Sequence, residues 1–268
     1  MKRLAALFAL ALTSTACLRS TTVVTIKPDG SGTIVQENGL SPQAMGMMKS
    51  MAASQGAQTG GSPEIFGEAQ ARKTADSMGV RFVSGEPIKT AQFEGYRANF
   101  AFDDVRKIQM KLNEDPTGGA LGSAGSSSTP PFGFTFERNA ASSLLTITLP
   151  QDKLPGGGPL GAMGGKIPKS DAAGADAAQT AQMLSMMKVM MQGLFVDVSL
   201  NVDGRIVKTN APHIEGNRLT LLQLDFDKLL ADETAFQKLQ SASDLKSLGG
   251  IAGLKVVTEP KLTVEIAK

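Results

Sequence analysis

The residues most able to do chemistry in this chain sit in a few short stretches. Cys17 is the only cysteine, and it follows a basic pair, Lys2 and Arg3, an apolar run from Leu4 to Leu12, and Ser14-Thr15-Ala16. That order of charge, greasy run and small residues is an export signal over residues 1–16. Ser14 and Ala16 satisfy the small-x-small rule of ordinary signal peptidase, and the same bond is where lipoprotein signal peptidase would cut. An exported chain with no second cysteine gains nothing from a free thiol at its mature N-terminus, so a lipidated, palmitate-type Cys17 is expected, with plain secretion as the alternative. Leu18 follows in place of an Asp, which matches the sorting pattern for the outer membrane in a cell that has one.

Thioether sulfur is the second concentration. Nine of the 13 methionines fall in two windows, Met45, Met47, Met48 and Met51, then Met183, Met186, Met187, Met190 and Met191. The second set recurs at i, i+3, i+4, i+7 and i+8, one stripe of a helix. Soft sulfur suits Cu(I), which makes Met183, Met186, Met187, Met190 and Met191 the candidate metal ligands. A stripe of flexible apolar side chains more simply packs a core or grips a deformable apolar partner. Core packing is the expectation, and no metal or other cofactor is called for.

The other chemistry-bearing residues read as structural. His213 is the only histidine and lies in a loop, Asn210-Ala211-Pro212-His213, with no nucleophile motif around any serine. Asp103-Asp104 and Asp225/Asp227 could pair as acid and base, but Asp103 stands between a strand and a short helix, where capping is the ordinary use of a carboxylate. The glycine-rich stretches lack the Lys-Ser/Thr ending of a phosphate loop, and Asp29-Gly30-Ser31-Gly32 lacks the spaced acids of a calcium loop. No catalytic residue is assigned, and the chain is expected not to be an enzyme.

Charge narrows the partners. Lys2 and Arg3 are two of 27 basic residues and the signal holds no acid, so the rest of the chain balances 25 against 25. A neutral chain without a dense basic run lacks the footprint of a nucleic-acid binder. After the signal no stretch of about 18 apolar residues remains for a membrane span. Lipid on Cys17 would be the link to the bilayer, two or three acyl chains holding where one binds only marginally.

Period-two alternation dominates the segments that must position these groups. Thr22 to Lys27 and Thr33 to Glu37 flank Pro28-Asp29-Gly30-Ser31-Gly32, an Asp-Gly turn, and read as a hairpin. Phe132, Phe134 and Phe136 alternate into a turn at Asn139 to Ser142, with Leu145, Ile147 and Leu149 returning. Leu194, Val196, Val198, Leu200 and Val202 share one face, with Asp197, Ser199 and Asn201 on the other, before Asp203-Gly204. Arg218 to Asp225 and the Leu262, Val264, Ile266 segment add further strands. The two Asp-Gly hairpins look alike enough to suggest duplication, though a shared turn solution arising twice explains them as well. Ser62, Pro63 and Gly79 punctuate a helix over 63–78; Ser41-Pro42 opens another, 176–192 a third, and 225–230 and 233–240 two short ones. The fold class expected is α+β: an antiparallel sheet of about eight strands with a few helices on one face. It forms one ectodomain over 17–268, with flexible Gly/Ser/Ala-rich insertions near 112–131 and 155–176.

Cys17 leading into a strand, then Val24-Thr25-Ile26-Lys27-Pro28-Asp29-Gly30-Ser31-Gly32-Thr33, resembles the start of LppM-like bacterial lipoproteins. Gly79-Val80-Arg81, Phe93-Glu94-Gly95-Tyr96 and Phe100-Ala101-Phe102-Asp103-Asp104 are similar to the strands that follow in that family, so the resemblance covers about the first 105 residues. Some members end in a membrane helix. The resemblance implies an envelope role and a glycolipid as a class of ligand; it carries over no catalytic residue. The leading expectation is a membrane-anchored envelope lipoprotein whose non-catalytic ectodomain binds an envelope protein or an apolar ligand. A carrier of lipid-like molecules is the alternative, and an envelope enzyme or Cu(I)-handling protein the third.

Overall fold

The computed structural model describes residues 18–46, 66–110, 131–149, 192–232, 234–235, 238–239 and 246–267. Residues 1–17, both glycine-rich insertions apart from Pro131, and the methionine stripe at 183–191 lie outside them. Among the described residues twelve strands form two sheets. The α+β class holds, with two refinements: the larger sheet is mixed, and four strands leave it for a second sheet.

The larger sheet has the order β11, β10, β7, β1, β2, β4, β3, with β9 added beside β10. Its strands are β1 (Leu18–Ile26), β2 (Gly32–Leu40), β3 (Arg81–Lys89), β4 (Glu94–Phe102), β7 (Phe195–Val202), β9 (Ile214–Glu215), β10 (Arg218–Asp225) and β11 (Leu254–Val256). β1 sits at the centre, antiparallel to β2 and parallel to β7. The smaller sheet is β5 (Gly133–Arg138), β6 (Ser142–Thr148), β12 (Lys261–Ala267) and β8 (Ile206–Thr209), all antiparallel.

The two Asp-Gly segments part company here. Asp29 accepts hydrogen bonds from the Ser31 backbone N–H (2.9 Å) and hydroxyl (2.7 Å), and Gly30 takes φ +80°, which closes β1 tightly onto β2. These bonds hold the Asp29 carboxyl below the usual carboxylate range, the Ser31 hydroxyl contributing most. Asp203-Gly204 instead carries the chain out of the larger sheet at β7 and into the smaller one at β8. Gly204 at φ +159° packs against Ile266 and Pro28, so the crossing lies beside the first turn. That end is called distal below, and the end where β1 begins is called proximal.

The inward faces of both sheets share one core. Val24, Ile26, Ile34, Phe100, Phe102, Leu200 and Val202 of the larger sheet meet Phe134, Phe136, Leu145, Ile147, Leu262, Val264 and Ile266 of the smaller. Helix α1 (Glu68–Met78) adds Ala71, Ala75 and Met78 at helical spacing to the same core, and Arg72 lies over the Phe82 ring. The helix starts later than Pro63: its N-cap is Gly67, and the segment containing Ser62 lies outside the described residues. Its end is as the pattern predicts, with Gly79 at φ +68° and N–H bonds from Gly79 and Val80 closing a Schellman motif. Ser41 caps the helical turn over 42–46 by accepting from the Ala44 N–H at 3.1 Å.

Two smaller clusters lie at the proximal end. Helix α2 (Phe226–Ala231) and the segments after it bring Phe226, Leu229, Leu239, Leu248 and Ile251 against Leu194 and Leu224, while Leu40 and Phe66 pack with Leu18, Ala44, Met45 and Tyr96.

Candidate binding face of the mixed sheet

Three of the four carboxylates singled out in the sequence, Asp104, Asp225 and Asp227, have a structural task. Asp104 caps the 3-10 turn Val105–Lys107, accepting from the Arg106 N–H (3.0 Å) and from its guanidinium (2.6–3.1 Å). Those guanidinium bonds chiefly pull its carboxyl down to about 2. Asp103 is exposed and precedes that cap. Asp225 caps α2 through the Lys228 N–H (3.2 Å), and Asp227 accepts from the Gly193 N–H (2.7 Å). His213 is half-buried between β8 and β9, where its backbone carbonyl accepts from the Thr220 N–H at 2.9 Å. Among the described residues no three His, Cys, Asp or Glu side chains group to hold a metal, and no helix is long and apolar enough to cross a membrane. Cys17, Met183, Met186, Met187, Met190 and Met191 lie outside the described residues; Met45, of the first methionine window, is half-buried against Leu40 and Phe66.

The register of the mixed sheet brings together a set the sequence reading did not single out. Residues opposite one another across paired strands share a face, so the inner face can be followed as rungs. Across β3, β4, β2, β1 and β7 the apolar rung is Phe82, Phe100, Ile34, Val24, Leu200. The next rung toward the proximal end is Gly85, Ala98, Gln36, Thr22, Val198, and the one after it Pro87, Tyr96, Asn38, Ser20, Val196. Four polar side chains, Ser20, Thr22, Gln36 and Asn38, therefore occupy adjacent positions on the central two strands, facing inward between apolar clusters.

This patch is shielded but not closed. Ser20 and Thr22 are buried, while Gln36 and Asn38 are half-exposed. The Ser20 hydroxyl donates to the Asn38 side-chain oxygen at 2.8 Å. Thr22 and Gln36 have no side-chain hydrogen bond among the described residues. Gly85 and Ala98 lie beside them, and the Tyr96 ring packs directly over Gly85. Apolar flanks, small floor residues and amide and hydroxyl groups suit a ligand with both greasy and polar parts.

The opposite face carries a different polar set. Asp197 accepts from Arg218 (2.7 Å) and from the Gln223 amide (3.1 Å), and Arg97 bridges Glu37 (2.6 Å) and Glu86 (2.9 Å) across β2, β4 and β3. The Glu37 bond, above all, raises the Arg97 guanidinium pKa. Asp197 and Ser199, read as the polar side of β7, are 2% and 0% exposed. Ser199 Oγ and Glu259 Oε2 are buried without a hydrogen-bond partner among the described residues; the first belongs to β7 and the second to the bend before β12.

No family model and no curated protein matches the chain. Among solved structures, it is similar to the folded domain of the LppM protein of Mycobacterium tuberculosis, determined by NMR. The TM-score is 0.35 at 9% identity, covering 95% of this chain and 91% of that one. The likeness is weak and concerns the overall arrangement of elements only.

Proposed function

We propose that this chain is an exported lipoprotein, held to an envelope membrane by lipid on Cys17, whose ectodomain is a non-catalytic binding module for an amphipathic, lipid-like ligand. The observation that carries the reading is the pair of polar rungs. Among the described residues Thr22 and Gln36 have no side-chain partner, and they lie between apolar clusters, where desolvating a polar group costs about 1–3 kcal/mol unless a hydrogen bond replaces water. A ligand headgroup bonded there, with its chains against Val198 and Tyr96, offsets that cost. The capping duties of Asp104 and Asp225, and the tie of Asp227 to the Gly193 N–H, support a binding rather than a catalytic role. The order of charge, apolar run and small residues before Cys17 supports the export and the anchor.

The test is mass spectrometry of lipids that stay with the full-length protein through purification from membranes. The wild type should retain an amphiphile at near-stoichiometric level, and the Thr22→Val, Gln36→Leu double variant should retain about tenfold less, the loss of about 1.4 kcal/mol of polar contact. Its cooperative unfolding should be unchanged. A wild type that carries no lipid and co-purifies with an envelope protein would replace this reading with a protein-docking one.

A further inference from the structure

We infer that the proximal end of the mixed sheet rests on the bilayer surface, with the polar rungs standing directly above the lipid headgroups. The inference rests on the proposed lipid anchor at Cys17 and adds to it a fixed orientation. β1 begins at Leu18, the residue bonded to Cys17, and it is paired on both sides from its start: Leu18 with Leu40, and Arg19 with Phe195. Consecutive Cα atoms stand about 3.8 Å apart, so no tether separates the acylated residue from the most central strand of the fold. A domain anchored through a long linker tumbles; one anchored through its central strand holds its sheet end against the membrane.

Everything at that end is set by the same register. Leu40 pairs with Glu94 and Glu94 with Lys89, so the β3–β4 hairpin tip at Thr90 to Phe93 lies level with Leu18. Phe195 opens β7 beside Arg19, whose guanidinium lies over its ring. Lys89 and Lys228 reach solvent at this end, 80% and 73% exposed, each ion-paired within the domain, to Glu94 at 2.8 Å and to Asp225 at 2.9 Å. At about 3.3 Å per residue, Ser20 stands about 10 Å and Thr22 about 17 Å from the anchor, while the Pro28 to Ser31 turn lies on the order of 35 Å away. The polar rungs are thus within one lipid length of the membrane, close enough to meet a headgroup whose chains have not left the leaflet.

The experiment uses the full-length acylated protein in vesicles of phosphatidylcholine and phosphatidylglycerol. Because the Cys17 sulfur is consumed by the lipid thioether, one introduced cysteine is the sole thiol to carry a fluorophore. Gln92→Cys places it at the exposed hairpin tip of the proximal end. Ala140→Cys places it in the exposed β5–β6 turn, next to Arg138 and Ser143, which bond the carbonyls of Asp29 and Pro28 at the distal end. A nitroxide on the lipid headgroup should quench the Gln92 probe several-fold more than the Ala140 probe. A Gly/Ser linker of about 20 residues between Cys17 and Leu18, spanning roughly 25 Å, should erase the difference. Equal quenching at both sites in protein whose mass shows acylated Cys17 overturns the orientation alone. An unmodified thiol overturns the anchor and the orientation together.

Discussion

The two halves of the inner face of the mixed sheet are built on the same strands and behave as different materials. Distally, Val24, Ile34, Phe100 and Leu200 are 0–1% exposed and are covered by the second sheet. Two to four residues further along the same strands, Thr22, Gln36, Ser20 and Asn38 take the equivalent inward positions. Strand pairing is continuous through both halves, so the backbone does not distinguish them. The difference lies in what the side chains require: the distal half must exclude water to be stable, and the proximal half holds polar groups, of which Gln36 and Asn38 still reach water. One backbone can therefore hold a core and a site end to end, the core fixing the geometry that the site uses.

The sharpest way to break that comparison is to truncate one residue in each half. Phe100 is fully buried, its ring centroid 6.1 Å from that of Phe82 in an edge-on contact, and Phe100→Ala should cost about 3–5 kcal/mol in urea unfolding. Gln36→Ala, on the neighbouring strand one rung away, should cost under about 1 kcal/mol, because no hydrogen bond is lost. Equal costs would make the proximal rungs part of the core and remove the site.

Two glycines sharpen the same contrast at smaller magnitude. A Cβ on Gly32 would run into the Thr25 carbonyl oxygen and the Phe102 ring, whereas one on Gly85 would first meet the Tyr96 ring. Backbone cannot step aside but a ring can swing, so Gly32→Ala should destabilise by about 1–3 kcal/mol and Gly85→Ala by less. Gly85→Ala should also disturb lipid retention, since it moves Tyr96 across the polar rungs. A reversed order of stabilities would mean the proximal half is the more tightly packed of the two.

Much of this was legible in the sequence, and the missing parts have physical reasons. The Asp-Gly hairpin, the β5–β6 hairpin, β7, β10, β12 and α2 follow from alternation and turn chemistry, which act over a few residues. Alternation has the same period in parallel and antiparallel pairing, so the parallel contact of β1 with β7, strands far apart in the chain, was not. Nor was the departure of β8 from the larger sheet, because Asp203-Gly204 has the same local grammar as Asp29-Gly30. The site was half visible: in β2, Gln36 and Asn38 fall in phase with Ile34 and Leu40, a polar interruption on an apolar face. In β1 that signal fades, since Thr21, Val23 and Thr25 are about as apolar as Ser20, Thr22 and Val24 and leave the phase undecided.

The smallest expected effect tests whether the distal end holds charge as firmly as it holds its core. Asp104 is pulled from an ordinary 3.8 to about 2, chiefly by the Arg106 guanidinium bonds. A carboxylate with a lowered folded-state pKa stabilises fully above its unfolded value, and that contribution is lost as pH falls toward the folded one. Because Arg106 is 60% exposed, water screens the pair and its worth should be the smallest of these effects. Asp104→Asn retains a capping oxygen for the Arg106 N–H and removes only the charge. The stability gap between wild type and variant should be constant from neutral pH down to roughly pH 5, then close between about pH 4 and pH 2. A gap that persists unchanged to pH 2 would show that the cap acts through its neutral hydrogen bond, and that the ion pair contributes nothing to holding the turn under the distal core.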